Sequence, residues 1–307
     1  MIYKASFIYI MIKGGITMNN LTFEDFIYKY PEKTLKLSNG LFKFRYAQHS
    51  TSQATVILLA GGIGIGDSFY RHFEALAQHF SVVTFNYPKD FRTNQQLAQA
   101  IALLIRKLNL KNVYLIGQSY GGFISQIIAK HYPKLIKGMV LSNTGTLTSC
   151  LDFEGFENLY NMLKKSERYI RYDRYLPLPL LKPILKAGIK KKCKDVSPER
   201  QVELAHFADI TFKQITNAHL LLMDTLLADL KNEWNLTKED FASYDNEVLL
   251  LLSADDHTFA PSVTSALVQM MPNPTVNTSI PGGHLAPLFA FDTYIDTIVT
   301  FINERNP

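Results

Sequence analysis

An α/β architecture is the fold class that this sequence predicts: a doubly wound, mostly parallel sheet carrying an inserted helical cap. Three observations predict it. Continuous apolar runs such as Thr55-Val-Ile-Leu-Leu-Ala60 alternate with helix-periodic segments through the first half of the chain. A parallel strand covered by a layer on each side needs apolar residues on both faces, and such runs supply them. Near Thr146 the alternation gives way to helical periodicity and prolines, and strand signals resume at Glu247. The expected organisation is therefore a core of residues 18–145 and 246–307, with residues 146–245 forming a helical cap over the C-terminal edge of the strands.

Taken in order, Thr34–Leu37 and Leu41–Tyr46 read as two extended segments joined by Ser38-Asn39-Gly40, a hairpin signal because Asn and Gly tolerate positive φ. Thr55–Ala60 is the first buried strand and ends in Gly61-Gly62. Ser68–Phe80 follows as a helix, with Phe69, Phe73, Leu76 and Ala77 on one face. Ser81–Phe85 is a strand, Thr93–Leu108 a helix capped by Thr93, Asn112–Ile116 a strand, Tyr120–His131 a helix and Gly138–Leu141 a strand. After the helical stretch come a strand at Glu247–Leu252, a helix at Ser262–Met271, a strand at Val276–Ile280 and an amphipathic helix at Phe289–Ile302.

The 307 residues, 47% hydrophobic and 19% charged, suffice for one large core or one core with a lobe. A formal charge of +5 is too weak to imply nucleic acid, and no zinc-finger spacing or RNA-module motif occurs. Neither a cofactor nor a metal is expected. The two cysteines, Cys150 and Cys193, are far apart and form no CxxC pair, which fits a reducing cytoplasm. No apolar run of about 18 residues is present to cross a bilayer. Residues 1–17 are read as a leader translated in error, with Met18 the native start. Lys13-Gly14-Gly15-Ile16-Thr17-Met18 can be encoded by a purine-rich stretch that contains AGGAGG just upstream of an ATG, as in a bacterial ribosome-binding site. A signal peptide is the alternative reading of the same segment.

The chemistry centres on Gly117-Gln118-Ser119-Tyr120-Gly121. This G-x-S-x-G lies directly after a strand and directly before a helix, the context in which a tight turn lifts the serine above the sheet. Ser119 is the candidate nucleophile, and serine at neutral pH needs a base within hydrogen-bond reach. His284, in Pro281-Gly282-Gly283-His284, is the candidate base, because the glycines let its loop approach the strand edges. His49, His72, His79, His131, His206 and His219 fall on helices or the early loop, where surface or core roles are expected. An acid must fix the imidazole tautomer. Asp256 is the choice. Its neighbour Asp255 remains a second candidate, or a residue that hydrogen-bonds the loop. Ser142-Asn143, after the earlier strand, offers no carboxylate. An oxyanion hole is expected from the backbone N–H of Tyr120 and of Gly62, with Ile63 behind Gly62. The glycines at 61, 62, 64 and 66 also admit a dinucleotide-fingerprint reading, but their spacing is wrong and no ribose-binding acid follows.

Together these residues resemble the α/β-hydrolase superfamily from about Leu41 to Phe301. Within it, Leu58-Leu-Ala-Gly-Gly, Phe85-Asn-Tyr-Pro88, Gly117-Gln-Ser-Tyr-Gly-Gly, Leu141-Ser-Asn-Thr144 and Asp255-Asp-His-Thr-Phe259 resemble the maspardin-like branch. In maspardin the histidine position looks substituted, whereas His284 is present here, so the resemblance implies a working enzyme. It also disfavours dehalogenase and epoxide hydrolase chemistry, which place aspartate where Ser119 stands. The expected function is cleavage of a small-molecule ester, thioester or related acyl bond through an acyl-enzyme. The competing readings are a non-catalytic binding protein on the same fold and another triad enzyme such as an aminopeptidase, carbon–carbon bond hydrolase or lyase. Between Lys164 and Lys194 basic residues face only Glu167 and Asp173, with tyrosines and leucines interleaved. This reads as a solvated helical face, with a weak contact to anionic membrane as the sharper alternative.

Overall fold

The computed structural model describes residues 21–173, 178–179, 182–183 and 197–306. The leader reading of residues 1–17 lies outside them, as does most of the basic stretch beyond Asp173.

The hairpin strands are β1 (Lys33–Leu37) and β2 (Gly40–Ala47), followed by β3 (Thr55–Leu59), β4 (Ser81–Thr84), β5 (Val113–Gln118), β6 (Ile136–Ser142), β7 (Val248–Leu251) and β8 (Thr275–Asn277). They form one eight-stranded sheet in the order β1-β2-β4-β3-β5-β6-β7-β8. β1 pairs antiparallel with β2, and β2 with β4, while every later pairing is parallel. The hairpin turn is Ser38-Asn39, with Gly40 already paired opposite Leu37. Successive residues of a strand face opposite layers, which explains the unbroken apolar runs. Ile57 and Leu59 join one core cluster, with Leu97, Ile101, Ile124 and Ile128. Val56 and Leu58 join the other, with Phe73, Leu76, Ile298 and Phe301.

The helices of the sheet layers are α1 (Phe23–Lys29), α2 (Tyr70–Ala77), α3 (Asn94–Lys107) and α4 (Tyr120–His131). The sequence reading missed α1. Thr22 and Asp25 close it with a capping box, and its one buried side chain, Phe26, packs edge-on against Phe73. Thr93 caps α3 by accepting the Gln96 N–H at 3.2 Å. Between β6 and β7, the described residues form α5 (Phe153–Asp173), α6 (Pro198–Gln214), α7 (Asn217–Asp229) and 3-10 turns at Leu230–Glu233 and Lys238–Tyr244. This helical insertion is tied to the elements that flank the sheet by polar contacts. Ser68 Oγ meets Thr211 Oγ1 at 2.7 Å, Tyr70 Oη meets His206 Nε2 at 2.8 Å, and Asn94 Nδ2 donates to the Leu226 carbonyl at 2.9 Å. The chain closes with α8 (Pro261–Met270), the short α9 (Ala286–Phe289) and α10 (Phe291–Glu304).

A buried ion pair braces the segment after β3. The Arg45 guanidinium binds both Asp67 carboxylate oxygens, at 2.9 and 3.0 Å, and also donates to the Tyr30 carbonyl. Removing one partner of such a pair strands a buried charge. Asp67→Ala is therefore expected to cost about 3 kcal/mol, read as a lowered urea midpoint at unchanged m-value. A midpoint like that of the wild type would show that water reaches Arg45.

Candidate active site

The end of β5 and the start of α4 form a turn too tight for ordinary backbone geometry. Ser119 sits there at φ 53°, ψ −118°, a conformation that costs a non-glycine residue about 1–3 kcal/mol. Main-chain bonds hold it in place. The Ser119 N–H donates to the Ser142 carbonyl at 2.9 Å, and the Ser119 carbonyl accepts from Gly122 N–H at 2.9 Å and from Thr144 Oγ1 at 2.7 Å. Glycine is required on both sides. A Cβ on Gly117 would lie 2.5 Å from Ser125 Oγ and closer still to the Gly121 carbonyl, and one on Gly121 would lie 2.8 Å from the Leu59 carbonyl carbon.

His284 and the two aspartates belong to loops at the same edge of the sheet. His284 Nδ1 lies 2.9 Å from Asp256 Oδ2, and the Asp256 side chain is only 8% exposed. Burial pushes the Asp256 carboxyl up, but the hydrogen bonds from His284 and from Thr258 outweigh it and hold the group below the usual carboxylate value. Asp255 points elsewhere. Its two oxygens accept the Gly282 and Gly283 N–H groups at 3.0 and 2.9 Å. Burial is the largest single influence and raises the Asp255 carboxyl, but the backbone donors together outweigh it and hold the group below the usual carboxylate value.

Ser119 and His284 open into one cavity of about 270 Å³. Gly62, Ile63, Phe69, Phe207, Leu285 and Leu288 help to line it, so its described walls are largely apolar. Gly64, at φ +70°, turns the chain so that its N–H donates to Gly61 at 2.8 Å. Gly62 thereby faces the cavity, and Tyr120 begins α4 beside Ser119. The Tyr120 hydroxyl plays another part, donating to Asn94 Oδ1 at 2.8 Å in the core. A larger cavity of about 660 Å³ is lined in part by Asp256, His257 and Asn158.

Two histidines assigned to surface or core by sequence are buried props of these loops. His219 Nε2 donates to the Ile63 carbonyl at 2.7 Å, and His72 Nε2 donates to the Pro287 carbonyl at 2.7 Å. Burial lowers both, His72 to about 4, so both are neutral near pH 7. Nothing local in the sequence signals these contacts, which join residues 156 and 215 positions apart. Phe207, reaching the cavity from α6, was equally illegible. In the described part of the basic stretch, Lys164, Lys165 and Arg168 are exposed, Lys164 lies over the Tyr160 ring, and Glu167 pairs with Lys231. Among the described residues no group of His, Cys, Asp or Glu side chains could hold a metal ion. No single helix among them is long and apolar enough to cross a membrane.

Residues 54–180 match the family model described as alpha/beta hydrolase fold. A protein of Agrobacterium fabrum named as the carbamate hydrolase RutD is 27% identical over 133 residues, covering 40% of this chain and 51% of that protein. A Haemophilus influenzae protein named as an esterase/lipase is 25% identical over 185 residues, covering 57% of this chain and 62% of that one. The chain thus spans about half the length of the curated relatives it matches. Among solved structures, a hydrolase from Pseudomonas aeruginosa superposes with a TM-score of 0.68 at 18% identity, covering 89% of this chain and 98% of that one. An esterase from Thermogutta terrifontis superposes with a TM-score of 0.67 at 15% identity, over 90% and 99%. The chain has the α/β-hydrolase fold. The finer maspardin-like resemblance rests on the sequence segments alone.

Proposed function

We propose that the protein is a serine hydrolase that cleaves a carboxylic ester, thioester or related acyl bond of a small molecule through an acyl-enzyme on Ser119. The observation that carries the reading is a single cavity shared by Ser119 and His284, with His284 bonded from behind to Asp256. An ionised carboxylate can only accept, so Nδ1 is the protonated nitrogen and Nε2 keeps its lone pair for the serine proton. Ser119 attacks the acyl carbon as His284 takes that proton, and the imidazolium then gives it to the leaving alcohol or thiol. A water molecule, deprotonated by the same histidine, releases the acid. Gly62 and Tyr120 N–H groups take the oxyanion charge, each worth roughly 3 kcal/mol. The names of the relatives, a carbamate hydrolase and an esterase/lipase, support acyl chemistry of this class. With Cys150 free and no membrane-crossing helix among the described residues, we place the reaction in the cytoplasm.

A fluorophosphonate probe tests this directly. Wild-type protein should take one label on Ser119 and hydrolyse p-nitrophenyl acetate, and Ser119→Ala should do neither. A folded wild type that stays unlabelled would favour a non-catalytic binding protein on the same fold.

A further inference from the structure

The loop that carries His284 is gripped to a degree that the proton transfer alone does not explain. Gly282 and Gly283 have φ of +120° and +55°, backbone that favours glycine, where the single 3-10 turn Gly283–Leu285 begins. Side chains from three strand ends bind its polar groups. Asp255, beyond β7, accepts the N–H groups of Gly282 and Gly283. Asn143, beyond β6, donates Nδ2 to the Gly283 carbonyl at 2.7 Å. Gln118, closing β5, donates to the His284 carbonyl at 3.2 Å.

Asn143 does more than hold one carbonyl. It is 2% exposed and lies in the left-handed region at φ +42°. Its Oδ1 accepts the Ser253 N–H at 2.8 Å while Nδ2 also reaches Ser253 Oγ at 3.2 Å. One buried amide therefore bridges the loop that leads to Asp256 and the loop that leads to His284. The amide orientation is fixed by the network, since a flip would oppose donor to donor at Ser253 and acceptor to acceptor at Gly283. Neither Asn143 nor Asp255 is among the residues lining the cavity that holds Ser119.

We propose that Asn143 and Asp255 form a positioning clamp that fixes the spacing between the acid-bearing and base-bearing loops, and so govern the chemical step without contributing to substrate binding. The inference rests on the reading of His284 as the general base. Misplacing a catalytic group by about 1 Å can cost about 100-fold in rate, so a loosened clamp acts on kcat. Asp255 is the cleaner handle. It is solvent-exposed, so losing its bonds to the glycines is expected to alter the loop's direction more than the protein's stability.

The experiment compares wild type, Asp255→Ala, Asp255→Asn and Asn143→Asp as full-length chains, with p-nitrophenyl acetate as probe. Asp255→Ala is expected to lower kcat by about 10-fold or more at near-constant KM and unchanged melting temperature. Asp255→Asn, which keeps one acceptor oxygen, should recover part of the loss. Asn143→Asp replaces the donor to Gly283 with an acceptor and should lower kcat further; should it fail to fold, the Asp255 pair still decides. Hydrolysis that disappears in Ser119→Ala secures the underlying assignment. With that in hand, an Asp255→Ala enzyme with wild-type kcat, or one altered in KM alone, overturns the clamp and leaves the hydrolase reading standing.

Discussion

His284→Ala is expected to lower kcat for ester hydrolysis by about 10⁶-fold while the protein stays folded, because nucleophile and base act as a unit. The geometry gives the reason. His284 reaches the cavity from a loop and keeps 30% of its side chain exposed, so its truncation empties little packed volume. The partner left behind, Asp256, retains the Thr258 N–H at 2.8 Å. On the proposed mechanism, what is lost is the acceptor that lets Ser119 shed its proton. Asp256→Asn should cost less, about 10⁴-fold. An amide there can present its NH₂ to Nδ1, which then serves as acceptor and leaves the proton on Nε2, the wrong tautomer. The double variant should be no slower than His284→Ala alone, since the acid acts only through the base. Rates per folded molecule at neutral pH check all three. A His284→Ala enzyme within 100-fold of wild type would move the base to another residue.

The fold was legible wherever a local pattern is enough. The strands buried on both faces are continuous apolar runs, and the helix after the Gly117–Gly121 turn spans Tyr120–His131, the bounds expected from periodicity. Legibility failed where bounds depend on neighbours. The last sheet strand is Thr275–Asn277 and not Val276–Ile280, because its pairing with β7 stops at Asn277. The final helix begins at Phe291, behind a separate turn of helix at Ala286–Phe289 that Pro287 helps to start. The short α1 lacked a long periodic stripe, although Thr22 and Asp25 carried its capping signal. At the site, the motif pointed to Ser119 and the glycine-rich loop pointed to His284. The sequence preferred Asp256 over Asp255 for the imidazole and left Asp255 a loop-bonding alternative. A turn of the backbone between the neighbours sends Asp255 to the glycine N–H groups and Asp256 to the imidazole. Asn143, Gln118 and His219 act through contacts across more than a hundred positions, which no local pattern encodes.

Gly121→Ala sets two physical effects against each other, and their magnitudes differ enough to predict the sign. Gly121 lies in the first turn of α4, where alanine improves helix propensity by about 1 kcal/mol. The added methyl, however, would sit 2.8 Å from the Leu59 carbonyl carbon and 2.9 Å from the Ala60 carbonyl oxygen, and nearer still to the Leu59 oxygen. These are backbone atoms of β3 and its exit, and no side-chain rotation can relieve the overlap. Leu59 is paired with Gly117 across the β3–β5 register, so moving β3 away also breaks the sheet beside the nucleophile. Nor can α4 retreat, because a methyl at the neighbouring Gly122 would already lie 2.5 Å from Thr144 Cγ2, which leaves that side no slack. The expected result is a loss of more than about 4 kcal/mol, in the range reserved for overpacking that the backbone cannot absorb, or failure to yield soluble protein. Fluorophosphonate labelling of any folded fraction should slow as well, since a displaced helix start carries Ser119 with it. Urea unfolding decides the matter: a Gly121→Ala protein as stable as wild type, or more so, would mean that helix propensity governs this position and that the nucleophile turn is far less crowded than its two flanking glycines imply.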